Sequence, residues 1–208
     1  MLRRDRLKIE GLDATFDCLT IDWLGLQNPR GRFTPRRIRL PGQEAPGLGI
    51  GERVLELLYR VVSRLDLDGL VTVAEYFHNA VLYTRELRYV DPYYQGQVLA
   101  LEALLFEREQ LGFAQAAWAV HWGCVRDVDD SNFEWRGEAM VRARHPDLRA
   151  WLTREAHSEH AAEVARTLGY RLSRAEFDER WAAAYESLLA PPPPSDATIS
   201  GDTPRSRC

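Results

Sequence analysis

From Val54 to Leu65 the apolar residues Val54, Leu55, Leu57, Leu58, Val61, Val62 and Leu65 recur at helical spacing. Glu52, Arg53, Arg60 and Arg64 take the other face, so the segment reads as an amphipathic helix that "DLDG" stops. "LVTV" at residues 70–73 is continuous, β-rich and tightly bounded, which predicts a short buried strand. Ahead of this helix, "RLKIEG" and "TFDCLTIDW" place apolar residues at near-alternating positions around the turn "GLDA". They predict two strands, although Phe16, Leu19, Trp23 and Leu26 also fit a helical period. "QNPRGRFTP" reads as a loop, and "RRIRL", ended by Pro41 and Gly42, as a third strand.

After "LVTV" the pattern predicts a helix over about 75–85 and a strand near 87–90 that Pro92 ends. From Tyr94 onward it turns helical: "GQVLALEALLFEREQLG" and "FAQAAWAVHWGCV" form one pair, "DLRAWLTREAHSEHAAEVARTLGY" and "SRAEFDERWAAAYESLL" another. "RDVDDSNFEWRGEAM" reads as a polar connection between the pairs. The proline-rich, polar run from residue 190 reads as a disordered tail. The expectation is an α+β protein: a small mixed sheet on a βαβ unit over residues 1–93, then a helical region over 94–189 packed on it, then the tail over 190–208.

Composition narrows this picture modestly. A hydrophobic fraction of 45% supports a real core, and no apolar run reaches the roughly 20 residues a spanning helix needs. The charged start "MLRRDRLKIEGLD" has no apolar segment behind it, so no secretory signal and no membrane partner are expected. Cys18, Cys124 and Cys208 are widely spaced and form no metal pattern, which points to a reducing cytoplasm. The net charge of −4 argues against nucleic acid as the main partner. Arg30, Arg32, Arg36, Arg37 and Arg39 nevertheless crowd one acid-free stretch, either as a solvated loop or as an anion-binding patch.

"GLGIG", residues 47–51, stands directly before the clearest helix. Unpaired amides and the macrodipole favour anions at a helix N-terminus, and glycine lets backbone close around phosphate oxygens. The dinucleotide fingerprint would need glycine where Glu52 stands; the P-loop would need Lys and Ser/Thr where Leu48 and Gly49 follow Gly47. The ordered run "RIRLP", "GLGIG", "ERVLELLYRVV", "LVTV", "HNAVLY" and "LRY" instead resembles the acyl-CoA-dependent N-acetyltransferases of the GNAT superfamily, over residues 36–92. In that family a strand enters a glycine-rich pyrophosphate turn and a helix. A short strand, a helix with Asn, Ala and Tyr, and an aromatic-ended strand follow.

That resemblance implies acetyl-CoA or another acyl-CoA as cofactor, with no metal, and an amine as acceptor. Gly47 and the backbone amides of Leu48, Gly49, Ile50 and Gly51 would hold the pyrophosphate, and the main chain of Arg39 and Leu40 would flank the pantetheine arm. Asn79 would give a polar contact, and Tyr83 would be the acid for the departing thiolate, with Glu75 or Asp22 as conceivable bases. The family's usual Arg or Gln three residues before its first glycine is here Glu44 or Pro46, depending on register. The helical reading after residue 94 stands in place of the family's closing strand pair.

Other constellations compete. A helical protein-interaction module could use residues 30–51 as a basic docking loop, with Trp118, Trp122, Trp135 and Trp151 as contact area. His157 and His160, with Glu159 and Glu163, and the pair Glu75 and His78 have metal-ligand spacing, but a solvated helix face explains them better. Asp127, Asp129 and Asp130 lack the glycine of a calcium loop and read as an acidic turn. His121, between Trp118 and Trp122, reads as a packed histidine.

Overall fold

The computed structural model describes residues 1–22 and 24–192. Strands β1 (Leu2–Lys8) and β2 (Thr15–Ile21) form an antiparallel hairpin in which Leu2 faces Ile21 and Lys8 faces Thr15. The described residues between β2 and helix α1 (Gly51–Arg64) form no helix or paired strand; β3 (Gly69–Val73) follows α1 and pairs parallel to β2 with Ile21 opposite Thr72. The βαβ unit is therefore β2–α1–β3. "RRIRL" is not its first strand: only the isolated bridge between Thr34 and Arg37 forms there.

Helix α2 (Phe77–Tyr83) leads to the short strand β4 (Arg88–Tyr89) and helix α3 (Pro92–Glu102). Asp91 caps α3 by accepting from the Tyr93 amide at 2.8 Å, and Pro92 takes the first turn, where its missing N–H costs nothing. A π-helical turn, Ala103–Arg108, continues α3, and α4 (Phe113–His121) follows. Strand β5 (Val125–Arg126) precedes β6 (Ala139–Ala143), which inserts antiparallel between β3 and β4. Then come α5 (Pro146–Thr153), α6 (Glu155–Thr167), β7 (Arg171–Leu172) and α7 (Arg174–Leu188). The order of the main sheet is β1-β2-β3-β6-β4; β5 and β7 form a separate pair.

The protein is α+β, with helices on both faces of a mixed sheet. Alternation in the strands sets the two faces. Leu19, Ile21, Leu70 and Met140 pack with Leu55, Leu58 and Val62 of α1 and Val98 of α3. Phe16, Cys18, Val71 and Val141 turn the other way, onto Leu148 and Leu152 of α5. A third cluster, built on Leu101, Leu105, Ala116, Val120 and Phe177, holds the helices beyond α3 together. The predicted helix over 147–170 is two: Arg154, with ψ of 147°, breaks it between α5 and α6. Residues 193–208, including most of the predicted tail and Cys208, lie outside the described residues.

Candidate functional site

A cleft of about 1430 Å³ opens at the carboxyl ends of the parallel strands β2 and β3. Ile21 and Asp22 border it from β2, and Thr72 and Val73 from β3. Gly49, Gly51, Glu52 and Arg53 line it at the start of α1; His78, Asn79, Leu82 and Tyr83 line it from α2. Such ends of parallel strands are where open α/β sheets leave a crevice. The irregular segment between β2 and α1 folds back over the cleft with Leu26, Gln27, Phe33 and Gln43.

That segment is tied down by backbone bonding. The Leu48 amide donates to Leu26 O at 2.8 Å and the Asn28 amide to Pro46 O at 2.7 Å. The Gln27 carboxamide oxygen accepts from the amides of Glu44 (3.0 Å) and Ala45 (2.6 Å). Beyond Leu48 the pattern changes. The amides of Gly49 through Arg53 donate to no group among the described residues, and no side chain caps the helix. Gly49 has φ of +70°, and a Cβ built on either Gly49 or Gly51 meets nothing within 4 Å. The start of α1 is thus an open set of donors at the positive end of a 14-residue helix.

Gly49, Gly51, Asn79 and Tyr83 share this cleft with the two candidate bases, Asp22 and Glu75. Gly47, Leu48 and Ile50 belong to the adjoining loop but not to its lining, and the bond to Leu26 removes the Leu48 amide from any phosphate cradle. Arg39 and Leu40 are corrected more fully. The Arg39 amide donates to Leu188 O at 3.1 Å, and its carbonyl accepts from Trp118 Nε1 at 2.7 Å. The Leu40 amide and carbonyl both bond Gln43. The Arg39 main chain is anchored against α4 and α7 and that of Leu40 against Gln43, so the end of β2 takes the place beside the cleft foreseen for "RIRL".

Tyr83 is partly buried, and desolvation raises its hydroxyl pKa, so the phenol is protonated at neutral pH. Asp22 is held by Arg3 at 2.8 Å, and Glu52 by Arg85 at 3.2 Å. Glu75, also on the cleft wall, forms no ion pair with a described residue. His78 is 5% exposed. Its Nδ1 is sealed without a hydrogen-bond partner, and burial, with His121 nearby, pushes its pKa down to about 4. The Tyr76 ring stacks on it at 5.5 Å. The spacing of Glu75 and His78 suggested a metal pair, but the structure points them apart in environment: Glu75 is exposed, His78 buried. His157 likewise is buried and bonds Tyr89 O through Nε2 at 3.0 Å, whereas His160 is exposed. Among the described residues no group of three metal-ligating side chains forms.

Glu75 and Tyr76 also line a second, smaller pocket of about 480 Å³, with Phe77, His121, Trp122, Phe133, Glu134 and Trp135. Sequence periodicity could not have joined these residues, because they come from the β3–α2 turn, the end of α4 and the loop before β6. Trp118, Trp122, Trp135 and Trp151 are half-buried, and the Trp118 and Trp135 indoles donate to Arg39 O and Ala74 O. Arg30, Arg32, Arg36 and Arg37 are exposed and pair with no described carboxylate, while Pro29, Gly31 and Phe33 between and beside them reach the cleft. No helix among the described residues is long and apolar enough to cross a membrane. No protein-family model, curated protein or solved structure matches this chain.

Proposed function

We propose that the large cleft binds acyl-CoA through the start of α1 and that the chain transfers the acyl group to an amine. The observation that carries this reading is the row of undonated amides from Gly49 to Arg53, opening into a cleft that also holds Tyr83. Pyrophosphate oxygens accept from such donors, and the open faces of Gly49 and Gly51 let backbone approach them closely. Arg30 and Arg32, exposed next to the cleft-lining Pro29, Gly31 and Phe33, would supply positive charge for the nucleotide end. Glu44 and Pro46 offer no guanidinium or amide there, so the backbone of α1 carries most of the phosphate recognition. The GNAT reading draws support from β4 and β6, which pair antiparallel like the family's closing strands; β4 lies in the stretch that reads as a strand near 87–90, and β6 starts at the end of the polar connection 126–140.

The chemistry follows from the residues on the wall. An ammonium acceptor gives one proton to Glu75 and on to solvent. The free amine nitrogen attacks the thioester carbonyl carbon, forming the C–N bond. Collapse breaks the C–S bond, and the Tyr83 hydroxyl protonates the thiolate. The remaining proton lost by the nitrogen returns to Tyr83 through water. A phenol whose pKa is raised by desolvation stays protonated for this step. We assign the activity to the cytoplasm, in keeping with the free, buried thiols of Cys18 and Cys124.

Tyr83→Phe tests the transfer step separately from binding. Turnover of acetyl-CoA with an amine, followed by thiol release, should fall by about 10²-fold while acetyl-CoA affinity changes less than about threefold. Unchanged turnover in the variant would remove Tyr83 as the acid. A chain that binds acetyl-CoA but releases no thiol with any amine would be a cofactor-binding relative without catalysis.

A further inference from the structure

Two cavities meet at Glu75 and Tyr76, and their opposite walls differ in chemistry. The large cleft offers amide donors; the small pocket offers rings and carboxylates. Tyr76, Phe77, Trp122, Phe133 and Trp135 surround the small pocket, and neither Glu75 nor Glu134 forms an ion pair with a described residue. Carboxylates with no internal cation, among aromatic faces, favour a cation that carries apolar surface.

His78 adds a buried imidazole with an unpartnered nitrogen beside the junction of the two cavities. It is 95% buried by its 5% exposure, it lines the cleft behind Tyr76, and its Nδ1 has no partner. A buried polar atom left unsatisfied costs about 1–3 kcal/mol, and such atoms in native proteins call for an explanation. Nε2 bonds no described residue and is not among the sealed atoms, so it is the ring nitrogen the cleft can reach. Neutral at physiological pH, the imidazole can accept from an N–H or donate to a carbonyl at the junction of the two cavities.

We propose that this junction is the acceptor subsite and that it takes a primary amine on a flat aromatic body: the ammonium group lies at Glu75 and His78, and the ring in the smaller pocket against Trp122 and Trp135, with Glu134 at its rim. This names the substrate class for the transferase reading above and rests on it. Tyr76 divides the two cavities, and its ring is fixed from behind by Gly42, where a Cβ would stand 2.5 Å from Cε2. Ring stacking on His78 and a tilted contact with His121 at 5.9 Å hold it from the sides.

The test titrates the full chain, without cofactor, with phenethylamine and with 3-phenylpropionate, which has a similar shape and the opposite charge. Phenethylamine should bind with a dissociation constant below about 1 mM, at least about tenfold tighter than the carboxylate. Glu75→Gln and Glu134→Gln, both at exposed positions, should each weaken the amine about threefold to tenfold. Equal affinity for the two probes, no binding of either, or an unaltered constant in both variants would overturn the proposal. A Gly49→Glu variant should still bind phenethylamine. If the chain binds the amine but not acetyl-CoA, the transferase reading fails and the amine site stands; the reverse result leaves cofactor binding and removes this acceptor class.

Discussion

His78 combines burial, a ring nitrogen without a partner and a pKa pushed down to about 4, against about 6.5 in an unfolded chain. The groups around it are the Tyr76 ring, the Phe113 ring and His121. Between those two pKa values the unfolded chain takes up a proton that the folded chain refuses. Stability is therefore full above about pH 6.5 and falls as the pH drops toward 4, by roughly 3 kcal/mol at the limit. His157, whose pKa is also lowered chiefly by burial, adds loss of the same sign. Urea denaturation at pH 7.5 and pH 4.5 measures the effect. His78→Gln should lose about 2 kcal/mol less between those two pH values than the unmodified chain. An equal loss in both would mean that His78 charges freely in the fold. At this scale the sequence was half legible: "HNAVLY" singled out Asn79 and Tyr83, both of which line the cleft. It gave His78 no role beyond metal spacing, because nothing local reveals that α2 turns that ring into the protein.

At the scale of elements, α3 and α6 cross where Gly96 removes a side chain from the contact. A Cβ there would stand 2.5 Å from Ala161 O and 2.7 Å from Val164 Cβ, which backbone cannot relieve by a rotamer change. Gly96→Ala should destabilise by about 1–3 kcal/mol despite the better helix propensity of alanine. A denaturation midpoint equal to or above that of the parent would show that the two helices can part without cost. The long helices were legible because α1 repeats apolar residues over three turns. Even there, Leu57 and Leu65 lie outward, at 60% and 44% exposure. Strand β6 was not legible. Its five residues, "AMVRA", include one strong β-former, and it is central only because β3 and β4 bind it from both sides. "RRIRL" failed for the opposite reason: the backbone groups of Arg39 are spent on Trp118 Nε1 and Leu188 O, with no described strand beside it to pair with.

For the whole molecule, the sheet draws on both parts of the chain, since β6 joins a sheet otherwise built before residue 93. The cleft also depends on distant segments: the loop from Leu24 to Pro46 covers a crevice made by β2, β3 and the first turn of α1. Arg142 of β6 fastens this arrangement. It pairs with Glu56 of α1 at 2.9 Å and with Glu86 before β4 at 3.3 Å, and it lies over the Tyr59 ring at 4.0 Å. The central claim is that the open amides of α1 hold a pyrophosphate. Calorimetric titration with acetyl-CoA tests it most directly, using the parent chain, Gly49→Ala and Gly49→Glu. Both variants carry the strain of a side chain at φ of +70°, but only the glutamate adds negative charge at the helix N-terminus. The parent should bind with a dissociation constant between about 1 µM and 1 mM, Gly49→Ala within about threefold of it, and Gly49→Glu at least about tenfold more weakly. No binding at millimolar acetyl-CoA, or equal affinity in the parent and Gly49→Glu, would contradict the claim.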